Sequence, residues 1–132
     1  MATIKQRIVI QASSEEVYDA YMDEEKHSQF TGSKASINPT VGGEFTAWDG
    51  YIYGINLELE SGKKIVQEWR TSEWPEGKTP SRLEITLKNV KNGTELVMVH
   101  LNVPKEQLED LKQGWIDFYW EPLKKYFSKS PL

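Results

Sequence analysis

The stretch Val103–Lys129, VPKEQLEDLKQGWIDFYWEPLKKYFSK, constrains this chain more than any other. Leu108, Leu111, Trp115, Phe118, Tyr119, Leu123, Tyr126 and Phe127 recur every three or four residues, with Pro122 among them. That is the period of a single helix face. Glu109, Asp110, Lys112, Gln113, Asp117, Glu121 and Lys125 fall on the opposite face. The spacing predicts one helix from Pro104 to about Lys129, roughly 35–38 Å long. Pro104 suits the first helical position, where a missing N–H does no harm. Pro122 has no N–H for the carbonyl of Phe118 and is expected to bend the helix there. So long and aromatic a stripe needs a broad apolar partner, which the rest of the chain must supply.

The preceding residues read mostly as strands. Thr3–Ala12 alternates, with Ile4, Ile8 and Ile10 on one parity. Ser13-Ser14-Glu15-Glu16 fits a capping box, with Ser13 as N-cap and Glu16 at N3. A short helix is expected to about Met22, burying Val17, Ala20 and Tyr21. A second is expected from Glu24 to Phe30, ending near Gly32. From Ala35 the pattern is β: Ala35–Asn38, Glu44–Trp48, Tyr51–Glu60, Lys63–Ser72, Arg82–Lys91 and Thr94–Val103. Asp49-Gly50 and Asn92-Gly93 carry the type I′ hairpin signal, and Ser61-Gly62 makes the turn between them. Trp74–Pro80 reads as a loop. Consecutive antiparallel strands form a twisted sheet, and only the last helix is long enough to cover its concave face. The expected fold is therefore α+β: a curved antiparallel sheet of six to seven strands wrapped around a long C-terminal helix, with two short helices after strand one. This is the helix-grip arrangement, in one domain over residues 1–132.

Composition removes several function classes. The chain of 132 residues has no Cys, so thiolate catalysis, disulfides and Cys metal sites are excluded. Their absence fits a reducing, cytoplasmic compartment. The net charge is −4 without a basic run, which argues against nucleic acid. No apolar run reaches membrane-span length and MATIKQRIVI has no signal core. His27 and His100 are the two histidines and neither has metal-ligand spacing. His27, amid Glu25, Lys26, Ser28 and Gln29, is expected at the surface. No catalytic residue, metal site or cofactor is expected, and a monomer or weak homodimer is.

If Asn92-Gly93 is a two-residue turn, Leu87 faces Met98 and Ile85 faces His100. Leu83, Ile85, Leu87, Leu96, Met98 and His100 then point at the helix. Val97, Val99 and Leu101 are left outside, either as strand filler or as a partner surface. With Ser61-Gly62 as the other turn, Gly54 lies opposite Trp69, which points inward. The aromatic set is the main non-random feature of the chain. It can simply fill the core, or its bulky rings can wall a cavity suited to an apolar or amphipathic molecule. The candidate cavity residues are Phe45, Trp48 and Trp69 from the sheet, and Leu83, Ile85, Met98 and His100 from the last hairpin. Leu111, Trp115, Phe118 and Tyr119 join them from the helix.

Five stretches together carry a resemblance. They are Gly42-Gly43-Glu44-Phe45 with Trp48-Asp49-Gly50, then Gly54, IVQEWR at 65–70, Glu73-Trp74-Pro75-Glu76-Gly77, and GWIDFYWEPLKKYF at 114–127. The chain resembles the C-terminal domain of the activator of the 90-kDa heat-shock protein ATPase. That family lies within the START-like, birch-pollen-allergen-like helix-grip superfamily. The resemblance implies the same fold, and a cavity under the helix of the kind that holds lipids, hormones and polyketides elsewhere in the superfamily. The eukaryotic co-chaperone has a separate N-terminal domain contacting the chaperone; this chain starts directly at the first START-like strand, so none is expected. The leading expectation is a non-enzymatic protein binding a small apolar or amphipathic ligand between sheet and helix. The alternatives are an interaction module regulating a chaperone ATPase or stress response, and a superfamily-type cyclase or hydrolase using His100.

Overall fold

A computed structural model of the chain describes residues 2–75 and 77–128. Glu76 of the Trp-Pro-Glu-Gly motif and Lys129, the expected end of the last helix, lie outside the described residues. The order is β1 (Ala2–Ile10), α1 (Ser14–Met22), α2 (Glu24–Thr31), β2 (Ser36–Ile37), β3 (Glu44–Ala47), β4 (Ile52–Glu60), β5 (Lys64–Thr71), β6 (Ser81–Val90) and β7 (Gly93–Val103). A 3-10 turn (Lys105–Gln107), α3 (Leu108–Trp115), a π turn (Ile116–Trp120) and α4 (Glu121–Phe127) complete it. The strands form one seven-stranded sheet in the order β1-β7-β6-β5-β4-β3-β2, with each neighbouring pair antiparallel. This is the helix-grip arrangement expected from the element order.

Local chemistry sets the short helices. Ser13 and Glu16 form the expected capping box, each side chain bonded to the other's backbone N–H. Asp23 caps α2 by accepting from Lys26 N at 3.0 Å. Gly32 ends α2 in the left-handed conformation, which is costly for residues with a side chain.

The last helix accommodates Pro122 through a widened turn. Pro122 has no N–H to return to Phe118. The preceding turn widens instead, so that Glu121 N–H bonds the carbonyl of Ile116, five residues back. Pro104 stands before the 3-10 turn rather than within an α-helix, and the α-helix proper begins at Leu108.

Two hairpins differ from the pattern expected of their turns. In the last one, Val90 pairs with Gly93 and the turn is Lys91-Asn92. Ile85 therefore faces Met98, and Leu83 faces His100. The shift is two positions, so both faces survive it. Gly93 is thus a residue of β7, and glycine is needed there because a Cβ would lie 2.1 Å from the carbonyl oxygen of Ile10. Between β4 and β5, Glu60 pairs with Lys64, leaving a three-residue turn. A bulge between Asn56 and Glu58 takes up the extra residue, so Gly54 still faces Trp69. At the third hairpin, Asp49 (φ 57°) and Gly50 (φ 90°), with Tyr51 N bonded to Trp48 O at 3.2 Å, match a type I′ turn.

Inside, Leu83, Ile85, Leu87, Leu96, Met98 and His100 are all buried, as is Trp69 at 2% exposure. Each buried ring removes roughly 150–250 Å² from water, worth about 4–6 kcal/mol before entropy is counted. Outside, Val97, Val99 and Leu101 are half-buried. They stand in register with Arg7 and Lys5 on β1, and with Thr86, Glu84 and Arg82 on β6. Arg7 pairs with Glu95 and Arg82 with Glu84, and the stems of such side chains shield apolar neighbours.

Candidate functional site

Beneath the helix the sheet's inner face is filled rather than hollow. His100 lies at its centre, with no exposed surface. Trp69 meets its ring edge-on at 4.7 Å, and Trp115 at 5.8 Å. Trp115 stacks on Trp120 at 5.2 Å and touches Tyr119 at 4.8 Å. Ser81 Oγ donates to the carbonyl of Trp69 at 2.7 Å, so toward His100 Nε2, also at 2.7 Å, it accepts. Trp115 Nε1–H donates to His100 Nδ1 at 3.1 Å. Both ring nitrogens are thus occupied by protein groups. Burial drives the imidazole pKa down to about 3.

A second buried polar cluster lies where α2 meets the helix. His27, expected at the surface, is 3% exposed. The short inner face of α2 consists of His27 and Phe30, three apart, turned onto Tyr21 and Tyr119. His27 Nδ1 lies 2.8 Å from the Tyr21 carbonyl, so that nitrogen carries the hydrogen, and Nε2 accepts from Tyr119 Oη at 3.0 Å. Burial lowers the pKa of His27 to about 4, opposed by the bond to Tyr21. Tyr21 Oη continues to Gln67, and Gln67 Nε2 donates to Asn56 at 3.0 Å. Asn56 Nδ2 ends the chain on the carbonyls of Asn38 and Thr40. These groups satisfy each other and leave nothing directed outward.

Open space appears at one end of the grip. A cleft of about 430 Å3 runs between α3, the π turn and the β3–β4 hairpin. Its size falls within the range of small-molecule sites, roughly 300–1,000 Å3. Six cavity candidates line it: Trp48, Trp69, Leu111, Trp115, Phe118 and Tyr119. Phe118 marks its mouth at 55% exposure and meets Trp48 edge-on at 5.5 Å. Trp48 holds a left-handed backbone (φ 53°), costly for an aromatic residue, where the hairpin turns its ring to the helix. The other candidates lie elsewhere. Phe45 is a buried residue of β3, and Leu83, Ile85, Met98 and His100 lie in the filled core. Tyr51, Ile52, Glu73, Gln107, Asp110 and Gly114 complete the lining, and none of them is among the cavity candidates above. On the helix the signal was available: Gln107, Asp110, Leu111, Gly114 and Phe118 follow three- and four-residue steps along one stripe.

Arg70 of the Trp-Arg signature and Trp74-Pro75 form a brace behind this cleft. Arg70 Nη1 donates to the Lys78 carbonyl at 2.9 Å, and Nη2 donates to those of Trp74 (3.2 Å) and Pro75 (2.9 Å). That clamp holds Trp74, 4% exposed, against Trp69 at 5.9 Å. Trp69 in turn backs the cleft. Among the described residues no group of three His, Cys, Asp or Glu is placed to hold a metal. No described helix is long and apolar enough to cross a membrane.

Comparison with known proteins gives a consistent set. A family described as "Activator of Hsp90 ATPase homolog 1-like protein" matches residues 11–128. The chain is 37% identical over 117 residues to the human activator of 90 kDa heat shock protein ATPase homolog 1, covering 87% of this chain and 34% of that protein. It is 32% identical over 129 residues to the Dictyostelium discoideum homolog, covering 97% and 33%. The chain thus spans about a third of the length of the curated relatives it matches. Among solved structures, an HSP90 activator from Plasmodium falciparum superposes with a TM-score of 0.88 at 26% identity, over 97% of each chain. The Aha1 dimer from Colwellia psychrerythraea reaches 0.83 at 20% identity over the whole of both chains, a likeness of fold.

Proposed function

The chain belongs to the activator of Hsp90 ATPase homolog 1-like family, and from that premise we propose that it is a non-enzymatic module that binds an Hsp90-class chaperone and alters its ATPase rate. The observation that carries this reading is the contrast between the filled interior and the exposed ring of Phe118. The buried histidines are committed to packing, and Phe118, the most exposed aromatic ring among the described residues, lines the cleft. A large ring presented beside a recess is the usual form of a binding anchor. The names of the relatives supply the partner. The test is the ATPase rate of a cognate Hsp90 titrated with this chain, alongside co-purification. No rate change together with no association overturns the proposal. The outer stripe of Val97, Val99 and Leu101 is a second contact candidate. Val99→Glu there weakens association if the stripe takes part, and unchanged binding excludes it.

A specific observation favours a second reading for the same cleft. Its volume and its aromatic walls suit a small apolar or amphipathic ligand. A thermal-shift screen against a lipid and metabolite panel tests it; the absence of any stabilising compound ends it. The enzyme reading through His100 draws no support from its contacts, because both nitrogens are already engaged. The Cys-free composition supports a cytoplasmic setting. We take residues 1–132 as one START-like domain, a monomer or a weak homodimer. The dimeric Colwellia protein motivates the second state, and size-exclusion chromatography across concentration decides it.

A further inference from the structure

The cleft is polarised. Trp48, Trp115 and Phe118 give it apolar, aromatic walls, while its charged lining consists of two carboxylates, Glu73 and Asp110. Among the described residues no Lys, Arg or His lines it, and neither carboxylate enters an ion pair. Tyr51 Oη donates to Glu73 Oε1 at 2.7 Å, which steadies that carboxylate at the mouth. Partial burial, that hydrogen bond, and the charges of Glu73 and Asp110 all push the Tyr51 phenol above its ordinary range, so the three groups share one local field.

An uncompensated pair of carboxylates beside a water-poor wall repels fatty acids and other anionic amphiphiles, and attracts a cation. Aromatic rings add to that preference, because their faces are electron-rich and favour ammonium groups within about 6 Å. We propose that the ligand of this cleft is an amphipathic organic cation, its ammonium beside Glu73 and Asp110 and its apolar body against Trp48, Trp115 and Phe118. The proposal rests on the small-ligand reading of the cleft given above and supplies the chemical class which that reading leaves open. Glu73 and Asp110 set the sign of the ligand, and the rings set its apolar bulk.

The test uses three probes of equal chain length on the full chain: octylammonium, octanol and octanoate. Quenching of tryptophan fluorescence reads binding, since Trp48 and Trp115 line the cleft. The expected order is octylammonium first, roughly five- to twentyfold tighter than octanol, from two exposed charge contacts and one ring face. Octanoate is expected to bind weakest. In the double variant Glu73→Gln, Asp110→Asn, octylammonium falls to the octanol level while octanol itself is unchanged. Both side chains are exposed, so the variant folds, and the amide introduced by Glu73→Gln keeps an acceptor for the Tyr51 hydroxyl. If octylammonium and octanol bind equally to the parent chain, or the double variant keeps the preference, the cation assignment is overturned and the cleft reading stands. If none of the three binds, or binding survives Phe118→Ser undiminished, both are overturned.

Discussion

The indole N–H of Trp115 points at Nδ1 of His100 across 3.1 Å, in the closed space between α3 and β7. That single contact fixes the imidazole. Nδ1 must accept, so Nε2 carries the hydrogen and donates to Ser81 Oγ at 2.7 Å. A second proton would set donor against donor. His27 is fixed the other way round, with its hydrogen on Nδ1.

Acid sensitivity follows from these two rings. Burial holds His100 near 3 and His27 near 4, whereas in the unfolded chain both titrate near the ordinary value of about 6.5. Below that value the unfolded chain takes up protons that the folded one refuses. Stability is therefore fully present above about pH 6.5 and declines as pH falls toward 4, by up to about 1.4 kcal/mol per unit for each ring. Urea unfolding between pH 8 and 4.5 is expected to show a plateau and then a fall, with His27→Gln reducing the slope. A profile that stays flat to pH 5 would contradict the assignment. Nitrogen chemical shifts should also report opposite tautomers for the two rings.

Two glycines are expected to respond in opposite directions. A Cβ on Gly54 would lie 1.8 Å from the carbonyl oxygen of Glu68 and 2.9 Å from the Phe45 ring. Gly54→Ala must push β4 away from β5, at a cost of about 1–3 kcal/mol or more. On Gly114 the nearest atom, Phe118 Cδ2, is 3.7 Å away. Gly114→Ala is therefore expected to stabilise α3 by about 0.5–1 kcal/mol. Denaturant midpoints of the two variants decide it, and a shift of the same sign in both would refute the geometry.

What could be read before the structure follows from which signals are local. The capping box at Ser13, the left-handed stop at Gly32 and the type I′ turn at Asp49-Gly50 each depend on a few adjacent atoms, and each appears where the residues implied. The helix stripe and the alternation along β6 and β7 fixed which faces meet. Exact pairing was harder, because the Gly of Asn92-Gly93 is required by the approach of Ile10 from β1, some eighty residues away, rather than by its own turn. Gly54 is the same case: it faces Trp69 as expected, but the carbonyl of Glu68 excludes a side chain there. The burial of His27 depended on Tyr119, at the other end of the chain. The cleft was legible only on its aromatic side; Asp110 falls on the polar stripe of the helix and Glu73 in a loop signature, and only tertiary packing brings both into one lining.

Arg70 is expected to be irreplaceable by Lys. Its guanidinium answers three carbonyls, at Lys78, Trp74 and Pro75, and its plane lies 5.8 Å from the Tyr53 ring. An ammonium has neither the fork nor the plane. Arg70→Lys is expected to cost about 1–3 kcal/mol and to loosen residues 72–80 first. Amide exchange along that segment, compared with β6 and β7, checks it. Uniform loss of protection would mean that the clamp belongs to the core rather than to the loop.

Phe118 offers the cleanest separation of folding from binding. Its ring is 55% exposed, and its main aromatic contact is the edge of Trp48. Trp115, three residues earlier, is 3% exposed and joins His100, Trp120 and Tyr119. Truncating Phe118 to Ala should therefore cost about 1 kcal/mol or less, a few degrees of Tm, whereas Trp115→Ala should cost about 3–5 kcal/mol. If the cleft is where this chain binds, the loss of an anchoring ring lowers affinity by about 2 kcal/mol or more, near thirtyfold. Calorimetry on both variants, set beside a dose–response curve of chaperone ATPase stimulation, tests the two halves together. A Phe118→Ala protein that melts like Trp115→Ala, yet stimulates at the parent's concentration, would make Phe118 a packing residue and remove the cleft from the binding mechanism.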